Sequence, residues 1–274
     1  AKIPAALENT FVSGRKNILI NGDMQVAQRG DYDTSPVSVS NASYYLDRLV
    51  TVTGVAGTVQ RLSTNQPTGT DVGYSTKIVT TASGTAQFCL EQKLEDGDRL
   101  GGKAVVLSAW VKSNSSDCRI TIYDGSSFVV STAHTGGGSW EKLTTTITLG
   151  TGLTNDVRCR IGLTAPGNVS ITSGDYAEFT QFQLELGSTA TDFEHRSYGE
   201  ELALCMRYYW KHSGDSIIHA GRTISSNRVD AAIHFPVTMR ASPTLTTSTV
   251  THGAVYHNGT SVSPSSPTIA GVHI

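Results

Sequence analysis

Short segments in which apolar and polar residues alternate fill the sequence from about residue 17 to about residue 187. Two clear examples are AVVLSAWVKS (104–113) and DVRCRIGL (156–163). A period of two residues is typical of a β-strand with one buried and one solvated face. About ten such segments occur with no helical segment between them, which a parallel α/β sheet would require. The pattern therefore predicts two antiparallel sheets packed face to face, a sandwich of the jelly-roll type.

The composition supports a sheet protein and disfavours two classes of partner. Hydrophobic residues make up 38% of the chain and charged residues 16%, against roughly 45–50% and about 25% in ordinary globular proteins. Thr, Ser and Gly make up the difference, which indicates hydroxyl-rich strand faces and many turns. The net charge is −2 and no basic run occurs, so we expect no nucleic-acid partner. The apolar stretches have the length of strands, so we expect no membrane insertion.

A change of pattern near residue 199 divides the chain. Glu200 and Glu201 open a segment in which Leu202, Cys205 and Tyr209 recur at helical spacing, and acidic residues are favourable in a first helical turn. Alternating segments then resume. The predicted organisation is an N-terminal arm (1–16), a jelly-roll sandwich (17–187), a connector with a short helix (188–212) and a smaller β-rich C-terminal region (213–274). We expect the last region to complete a sheet with the sandwich or with another subunit.

No catalytic or metal-binding pattern is found in the sequence. His195 is the first candidate, but in extended chain its neighbours Glu194 and Arg196 point to the other side and cannot easily orient it. Motifs of the G-x-S-x-G, H-E-x-x-H and P-loop types are absent, and the four cysteines include no C-x-x-C pair. The carboxylates are scattered, whereas a glycosidase needs two that face one sugar. We therefore expect no enzyme activity, no catalytic residue, no metal and no cofactor.

Exposed aromatic residues on a sandwich offer a different chemistry, because aromatic rings can stack on sugar rings while neighbouring polar groups bind the hydroxyls. The candidates for glycan binding are Tyr44, Tyr45, Trp110, Tyr123 and Trp140. Trp110 lies opposite the apolar positions of its segment. It can therefore face solvent, or it can belong to a strand packed on both sides or to a subunit interface, and the sequence leaves these alternatives open.

Several stretches resemble a known group of proteins. NILINGDMQVAQRG, YYLDRLV, FQLELGSTATDFEHRSYGEELALCMRYYWK and FPVTMRASPTL are similar to segments of bacteriophage and prophage tail-fibre or related virion appendage proteins, and residues 183–209 are the most specific part. The N-terminal half also resembles jelly-roll carbohydrate-binding modules, which often hold a structural calcium. Asp23 matches one acidic position of those modules, but Thr180 and Gln181 stand where further acids are expected, and Leu49 stands where the appendage pattern has Trp.

The resemblance implies a virion structural protein of the tail or fibre type, located in the virion, which contacts other virion proteins and host-surface polysaccharide. It also implies a homotrimer with a subunit junction near the helix. The expected junction residues are Phe193, Glu194, His195, Arg196, Tyr198, Arg207, Tyr208 and Tyr209. Two alternatives remain open: a capsid decoration or head-fibre protein anchored by the arm 1–16, and a polysaccharide-degrading enzyme.

Overall fold

The computed structural model describes residues 15–30, 32–71, 73–153, 156–164 and 167–211, together with the C-terminal pieces 222–225, 228–230, 235–244, 255–257 and 260–262. Most of the predicted arm and much of the predicted C-terminal region lie outside the described residues. The chain divides into two compact units, Ala1–Cys205 and Met206–Ile274. The division falls inside the helix, and the predicted boundaries at 187 and 212 stay predictions.

Eighteen strands and one α-helix are present in the described residues. The strands are β1 (Val37–Ser38), β2 (Tyr44–Leu46), β3 (Leu49–Thr53), β4 (Gly57–Leu62), β5 (Ser75–Thr80), β6 (Gly84–Ala86), β7 (Phe88–Lys93), β8 (Ala104–Ser113), β9 (Cys118–Tyr123), β10 (Phe128–Val130), β11 (Trp140–Thr148), β12 (Arg158–Leu163), β13 (Val169–Ile171), β14 (Tyr176–Leu186), β15 (Arg222–Ser225), β16 (Arg228–Asp230), β17 (Val255–His257) and β18 (Thr260–Val262). The helix α1 spans Tyr198–Met206, and a short 3-10 helix spans Gly97–Leu100.

Two six-stranded antiparallel sheets form the sandwich of the first unit. Sheet A has the strand order β1-β4-β5-β14-β8-β11, and sheet B has the order β10-β9-β12-β7-β3-β2. From β7 onward the chain passes repeatedly between the two sheets, as in a jelly roll. The predicted antiparallel all-β sandwich followed by a short helix is confirmed. In the described part of the chain no helix is long and apolar enough to cross a membrane.

The core lies between the sheets and is filled by the alternating apolar residues. Val105, Leu107, Ala109 and Val111 of β8 are buried there, as the pattern predicts. From sheet B, Ile120 and Ile161 point into the same cluster. Side chains alternate along a strand, so the residues next to the inward-pointing ones on β9, β12 and β7 point out of the sandwich. The alternation therefore determines which side chains of sheet B lie on its outer face, where a ligand can reach them.

A bulge in β14 allows the N-terminal segment to lie against the sheet. The register of β14 with β8 shifts between Thr180 and Gln183, and Gln181 has a φ of 52°. Phe182 N–H donates to the Gly22 carbonyl (2.8 Å), so the two backbones run in contact. A Cβ on Gly22 would lie 2.1 Å from the Phe182 carbonyl oxygen. Only glycine fits at residue 22 without moving the bulge.

A buried ion pair holds the N-terminal segment and α1 together. We call Asn17, Asn21, Asp47, Arg196 and Glu201, which are all buried, the N-terminal lock. Arg196 Nη1 lies 3.2 Å from Glu201 Oε1 and donates to the Leu19 carbonyl at 2.9 Å. Glu201 Oε1 also accepts from Asn21 N–H at 2.6 Å. The pair is therefore bonded to backbone groups as well as to itself, which a buried pair needs to be favourable.

Side-chain amides complete the lock. The Asn17 amide bonds along the β14 bulge, donating to Phe182 O at 3.2 Å and accepting from Leu184 N–H at 3.2 Å. Asn21 Nδ2 donates to Asp47 O (3.1 Å), which lies between β2 and β3. Burial raises the pKa of Glu201 and of Asp47 above their ordinary values. The lock thus joins the start of the sandwich, sheet B and the helix through polar groups that have little access to water.

We expect Gly22→Ala to reduce the free energy of unfolding by about 2 kcal/mol or more, because the added methyl group overlaps backbone that cannot move independently. Urea denaturation followed by circular dichroism measures the change. Gly150→Ala is the matched control, because nothing lies within 4 Å of its Cβ position. Equal effects of the two substitutions would contradict the packing described for Gly22.

Replacing Arg196 by Met leaves the Glu201 carboxylate buried without its cation. At about pH 7 we expect a loss of about 3 kcal/mol in the free energy of unfolding, within the range for a broken buried pair. Loss of Arg196 raises the already elevated pKa of Glu201 further, so the folded state binds this proton more tightly than the unfolded state. Stability of the variant therefore falls as pH rises through the raised pKa, and the loss is smaller near pH 4.5.

Two further variants separate the buried pair from a general effect of removing arginine. Arg15 pairs with Glu200 at 2.6 Å in an exposed position, so Arg15→Met should cost less than about 1 kcal/mol. The double variant Arg196→Met/Glu201→Gln should recover part of the loss, because no unpaired charge remains. A double variant less stable than the single one would refute the ion-pair explanation.

Candidate functional site

Two segments of the chain lie against the outer face of sheet A. At one end Trp140 Nε1 donates to Asn65 O (2.8 Å) and Thr180 Oγ1 donates to Tyr74 O (2.7 Å), which brings the β4–β5 connection over the sheet. At the other end the connector after β14 crosses the sheet, because Thr191 N–H donates to Glu185 Oε1 at 2.8 Å and Lys142 Nζ donates to Thr191 O at 3.2 Å. Both ends of the outer face of sheet A are therefore covered, whereas the outward side chains of β11 from Lys142 to Thr148 stay exposed.

The outer face of sheet B has a different character. The strand register aligns its outward residues in two rows. One row is Tyr44, Val50, Glu91, Arg160, Thr121 and Val130, and the other is Lys93, Arg158, Tyr123 and Phe128. Within the described residues, the hydrogen-bond and ion-pair partners of the charged members come from sheet B or from residues directly before its strands. With an inter-strand spacing of about 4.8 Å, six strands give a strip roughly 24 Å wide.

Four planar side chains stack on one another at the β9–β10–β12 end of this strip. The rings of Tyr123 and Phe128 have centroids 4.7 Å apart. The Arg158 guanidinium lies 5.4 Å from the centre of the Tyr123 ring, and the Arg160 guanidinium lies 4.6 Å from the centre of the Phe128 ring. We call these four residues and Glu91 the arginine–aromatic face. Cation–π contacts fix the rings and the guanidinium groups relative to one another.

Carboxylates hold the two arginines in place. Arg160 Nε donates to Glu91 Oε2 at 2.6 Å, and Arg158 Nη1 lies 3.6 Å from Glu91 Oε1. Arg158 also forms a two-point contact with Asp156, through Nε (2.8 Å) and Nη2 (2.7 Å). The bond from Arg158, together with Lys93, lowers the pKa of Asp156 to about 2. Asp156 therefore stays ionised, and the guanidinium stays in position, over the pH range in which most proteins are folded.

The arginine–aromatic face combines ring surfaces with hydrogen-bonding groups whose positions are already fixed. Glu91 and Arg160 are buried, whereas Arg158 has 32% of its side chain exposed and Lys93 has 53%. Rings beside polar groups in a shallow strip suit a ligand that has an apolar face and polar edges. A sugar ring has this form, because its axial C–H groups lie on the faces and its hydroxyls lie around the edge.

The five aromatic residues chosen from the sequence do not form one site. Tyr123 lies in the arginine–aromatic face, and Tyr44, 45% exposed, lies at the far edge of the same sheet face beside Arg29. Trp110 and Trp140 are half-buried on the outer face of sheet A. Tyr45 packs against the core, where its hydroxyl accepts from Ser40 N–H at 2.9 Å. Only two of the five are therefore positioned on the sheet B strip.

The predicted junction residues are distributed between internal bonds and the surface. Arg196 belongs to the lock, and Glu194 accepts from the N–H groups of Lys16 and Asn17, both at 2.8 Å. The ring of His195 is exposed and lies against Phe193, with centroids 4.9 Å apart. Tyr198 is 55% exposed. Arg196 and Glu194 are therefore used in contacts within the chain, whereas His195 and Tyr198 are accessible to a partner.

The remaining junction residues belong to the second unit. Arg207 Nη1 donates to the Thr238 carbonyl (3.4 Å), and Arg240 lies over the ring of Tyr208 at 5.8 Å. Tyr209 is half-buried there. The stretch that follows α1 therefore contacts the FPVTMR segment within its own unit.

Phe128, Arg158, Arg160 and Glu91 were not predicted as site residues. The sequence indicates that the two arginines point outward, because they interrupt an otherwise apolar strand. The contacts among the four side chains depend on the register of three strands. Two arginines on the outer side of a strand whose inner side is apolar were the available signal. An outward arginine pair beside a strand-end Tyr would have identified this face.

Two other ionisable groups with raised pKa values are Glu178 on sheet A and Cys89 on β7, next to Glu91 on the outward side of sheet B. Glu178, whose pKa burial raises, is on sheet A and accepts from Ser75 Oγ at 2.8 Å. Burial raises the pKa of the Cys89 thiol to about 12, which makes it unreactive at neutral pH. Within the described ranges no group of three or more His, Cys, Asp and Glu side chains could hold a metal ion.

No protein-family model matches this sequence, and no curated protein matches it either. Among solved structures, the chain is similar to the enzymatically active domain of tailspike protein 4 from Bacteriophage CBA120 (14% identity, TM-score 0.40, 62% of this chain and 21% of that one). It is also similar to a putative sugar binding protein from Bacteroides thetaiotaomicron (11%, 0.38, 63% and 100%). A third is the CBM22-1 xylan-binding domain of Paenibacillus barcinonensis Xyn10C (12%, 0.35, 59% and 100%). The chain thus spans about a fifth of the tailspike chain, and its own function has to be inferred from its own geometry.

Proposed function

We propose that the first unit is a non-catalytic glycan-binding sandwich, and that the chain is a structural protein of a phage tail or fibre that contacts host-surface polysaccharide. One observation carries the binding proposal: Tyr123 and Phe128 stack with Arg158 and Arg160 on the outer face of sheet B, which no segment crosses within the described residues. Rings and fixed polar groups side by side are the elements with which proteins bind sugars.

The arrangement of the face favours an oligosaccharide over a single sugar. The strip extends from Tyr44 at one edge to Phe128 at the other, across six strands. A width of roughly 24 Å exceeds one sugar ring. The side chains near Phe128 are held by internal bonds, so a ligand does not have to order them on binding, and this reduces the entropy cost. The wide, pre-organised face supports binding to a polymer chain.

The chemistry of the carboxylates supports a role without catalysis. A glycosidase uses one carboxylic acid that holds its proton and one carboxylate on the other side of the bond. On this face Asp156 is fully ionised because of Arg158 and Lys93, and Glu91 is bonded to arginine. The carboxyl groups with raised pKa values, Asp47, Glu178 and Glu201, lie in the lock or on sheet A. We therefore propose no hydrolytic step.

The virion role is proposed from the sequence resemblance, which has a structural explanation. The stretches NILINGDMQVAQRG, YYLDRLV and the block after residue 179 are those that meet in the N-terminal lock. The shared pattern therefore corresponds to the contacts that close one end of the sandwich. Appendage proteins with different ligands would use the same contacts. The arginine–aromatic face lies outside these stretches, so its sequence can differ between proteins that bind different hosts.

We expect Tyr123→Ala to weaken binding to an immobilised bacterial surface polysaccharide at least tenfold, about 1.4 kcal/mol, because a stacking surface is lost. Biolayer interferometry on a panel of such polysaccharides measures it. Trp140→Ala, which removes a half-buried aromatic from the outer face of sheet A, is the control and should bind as the wild type does. Loss of binding with Trp140→Ala but not with Tyr123→Ala would place the site on the other sheet.

Light scattering of the whole chain tests the proposed homotrimer, for which we expect three times the chain mass of 29.1 kDa. Tyr198→Ala removes an exposed aromatic side chain of the predicted junction and should shift the mass toward the monomer. Tyr44→Ala, another exposed tyrosine, should leave it unchanged. A monomeric wild type would refute the predicted junction but would leave the binding proposal intact.

A further inference from the structure

The hydrogen-bond acceptors around the arginine–aromatic face are largely used internally. Both Asp156 oxygens accept from Arg158, and Lys93 Nζ lies 2.8 Å from Oδ1. Gln87 Oε1 accepts twice, from Arg160 Nη1 at 3.0 Å and from Thr164 Oγ1 at 3.1 Å. Glu91 Oε2 accepts from Arg160 Nε at 2.6 Å. Glu91 Oε1, whose nearest donor is Arg158 Nη1 at 3.6 Å, is the least used acceptor, and a ligand hydroxyl that needs an acceptor finds few other unoccupied oxygens here.

The donors on the same face are used less completely. Arg160 Nη2 and the Nε2 amide group of Gln87 have no hydrogen-bond partner among the described residues, and Arg158 Nη1 has only Glu91 Oε1 at 3.6 Å. The Gln87 amide group is a defined donor, because its oxygen is held by two bonds. Guanidinium and amide groups cannot accept hydrogen bonds at these nitrogens. The face thus presents several N–H groups in excess over free acceptors.

A buried hydroxyl lies beneath the same face. Thr121 lies beside Arg160 in the same row and is fully buried, yet its Oγ1 has no hydrogen-bond partner in the described structure. An unsatisfied buried hydroxyl costs free energy in the unbound protein. Because the Thr121 side chain has no exposed surface, this cost belongs to the burial of the row and not to the contact with a ligand.

We infer that the arginine–aromatic face binds a sugar that carries a carboxylate, such as a uronic acid or a nonulosonic acid, within a polysaccharide. The inference rests on the proposed glycan binding and adds the class of sugar. A carboxylate accepts only, in up to about four directions, and therefore matches a surface with surplus donors. Guanidinium groups bind carboxylates with strong, directional hydrogen bonds.

Net charge alone does not determine this preference. Lys93, Arg119, Arg158 and Arg160 face three carboxylates, those of Glu91, Asp117 and Asp156. Asp124 lies at the adjacent β9–β10 turn, where its Oδ1 accepts from the N–H groups of Ser126 and Ser127, both at 2.8 Å. With Asp124 included, the formal charges balance. The surplus of directed donors is what distinguishes an acidic sugar from a neutral one at this face.

The test compares each acidic polysaccharide with its own carboxyl-reduced form, in which each carboxylate has become a hydroxymethyl group. Polygalacturonate, alginate and polysialic acid are immobilised, alongside neutral galactan and dextran, and the whole chain is applied at about 0.15 M salt, where long-range attraction is screened. We expect binding to at least one acidic polymer, and at least a tenfold weaker affinity for its reduced form.

Two lysine variants on opposite sheets control for general attraction to a polyanion. Lys93→Gln removes an exposed cation next to Arg158 and should weaken acidic-polymer binding about threefold or more. Lys142→Gln removes an exposed cation from the outer face of sheet A and should have no effect. Equal losses from the two would mean that binding follows total charge, and this would overturn the inference. Because both lysines are exposed, neither variant endangers folding.

The remaining outcomes separate the two proposals. Binding to a neutral or carboxyl-reduced polymer that equals binding to the acidic form, and that Tyr123→Ala abolishes, would overturn the acidic-sugar inference and leave the glycan-binding face in place. Acidic-polymer binding that Tyr123→Ala does not change would remove the face from both proposals. Failure to bind any polymer in the panel would count against glycan binding itself and therefore against both.

Discussion

The buried pair of Arg196 and Glu201 is the contact on which the sandwich depends, because it joins pieces that are distant in sequence. Arg196 bonds to the carbonyl of Leu19, and Glu201 bonds to the N–H of Asn21. These residues fix the N-terminal segment along the β14 bulge, and Asn21 in turn reaches the turn after β2. Replacing only one residue of such an ion pair is costly, because the other residue and the backbone partners would be left buried without hydrogen bonds. The lock closes one end of the sandwich without an added strand.

Closure at that end determines which sheet face is available. The connector that leads from β14 to the lock has to cross sheet A, and bonds from Glu185 and Gln183 hold it there. The β4–β5 connection covers the opposite end of the same sheet. Sheet B carries no such crossing segment in the described residues, so its outer side chains stack with each other. The same chain path that stabilises the fold thus crosses one sheet face and, within the described residues, leaves the other, where we propose that the glycan binds, without a crossing segment.

The strand pattern could be predicted because alternation is a local property of the sequence. The buried side of β8 and the outward side of β12 follow directly from it. Tyr123 and Tyr44 could be selected from the sequence as aromatic residues near strand ends. The partial burial of Trp110 could not be predicted, because it depends on a loop that returns over the sheet. The contact of Arg158 with Tyr123 also escaped prediction, since it requires the register of two strands 35 residues apart. Likewise, Arg196 and Glu194 were interpreted as contacts to another subunit, whereas their bonds in this chain are to its own N-terminal segment.

The pairing of Arg15 with Glu200 places the point where the chain enters the sandwich next to the point where it leaves. A domain with adjacent ends can be inserted into a surface loop of an unrelated host protein without forcing the two sides of that loop apart. The same proximity allows the ends to be joined by a short linker and new ends to be opened in an exposed turn, such as the one between β9 and β10. Tension applied at the two ends would reach the polar contacts between them, such as Arg15 with Glu200, before it reaches any strand.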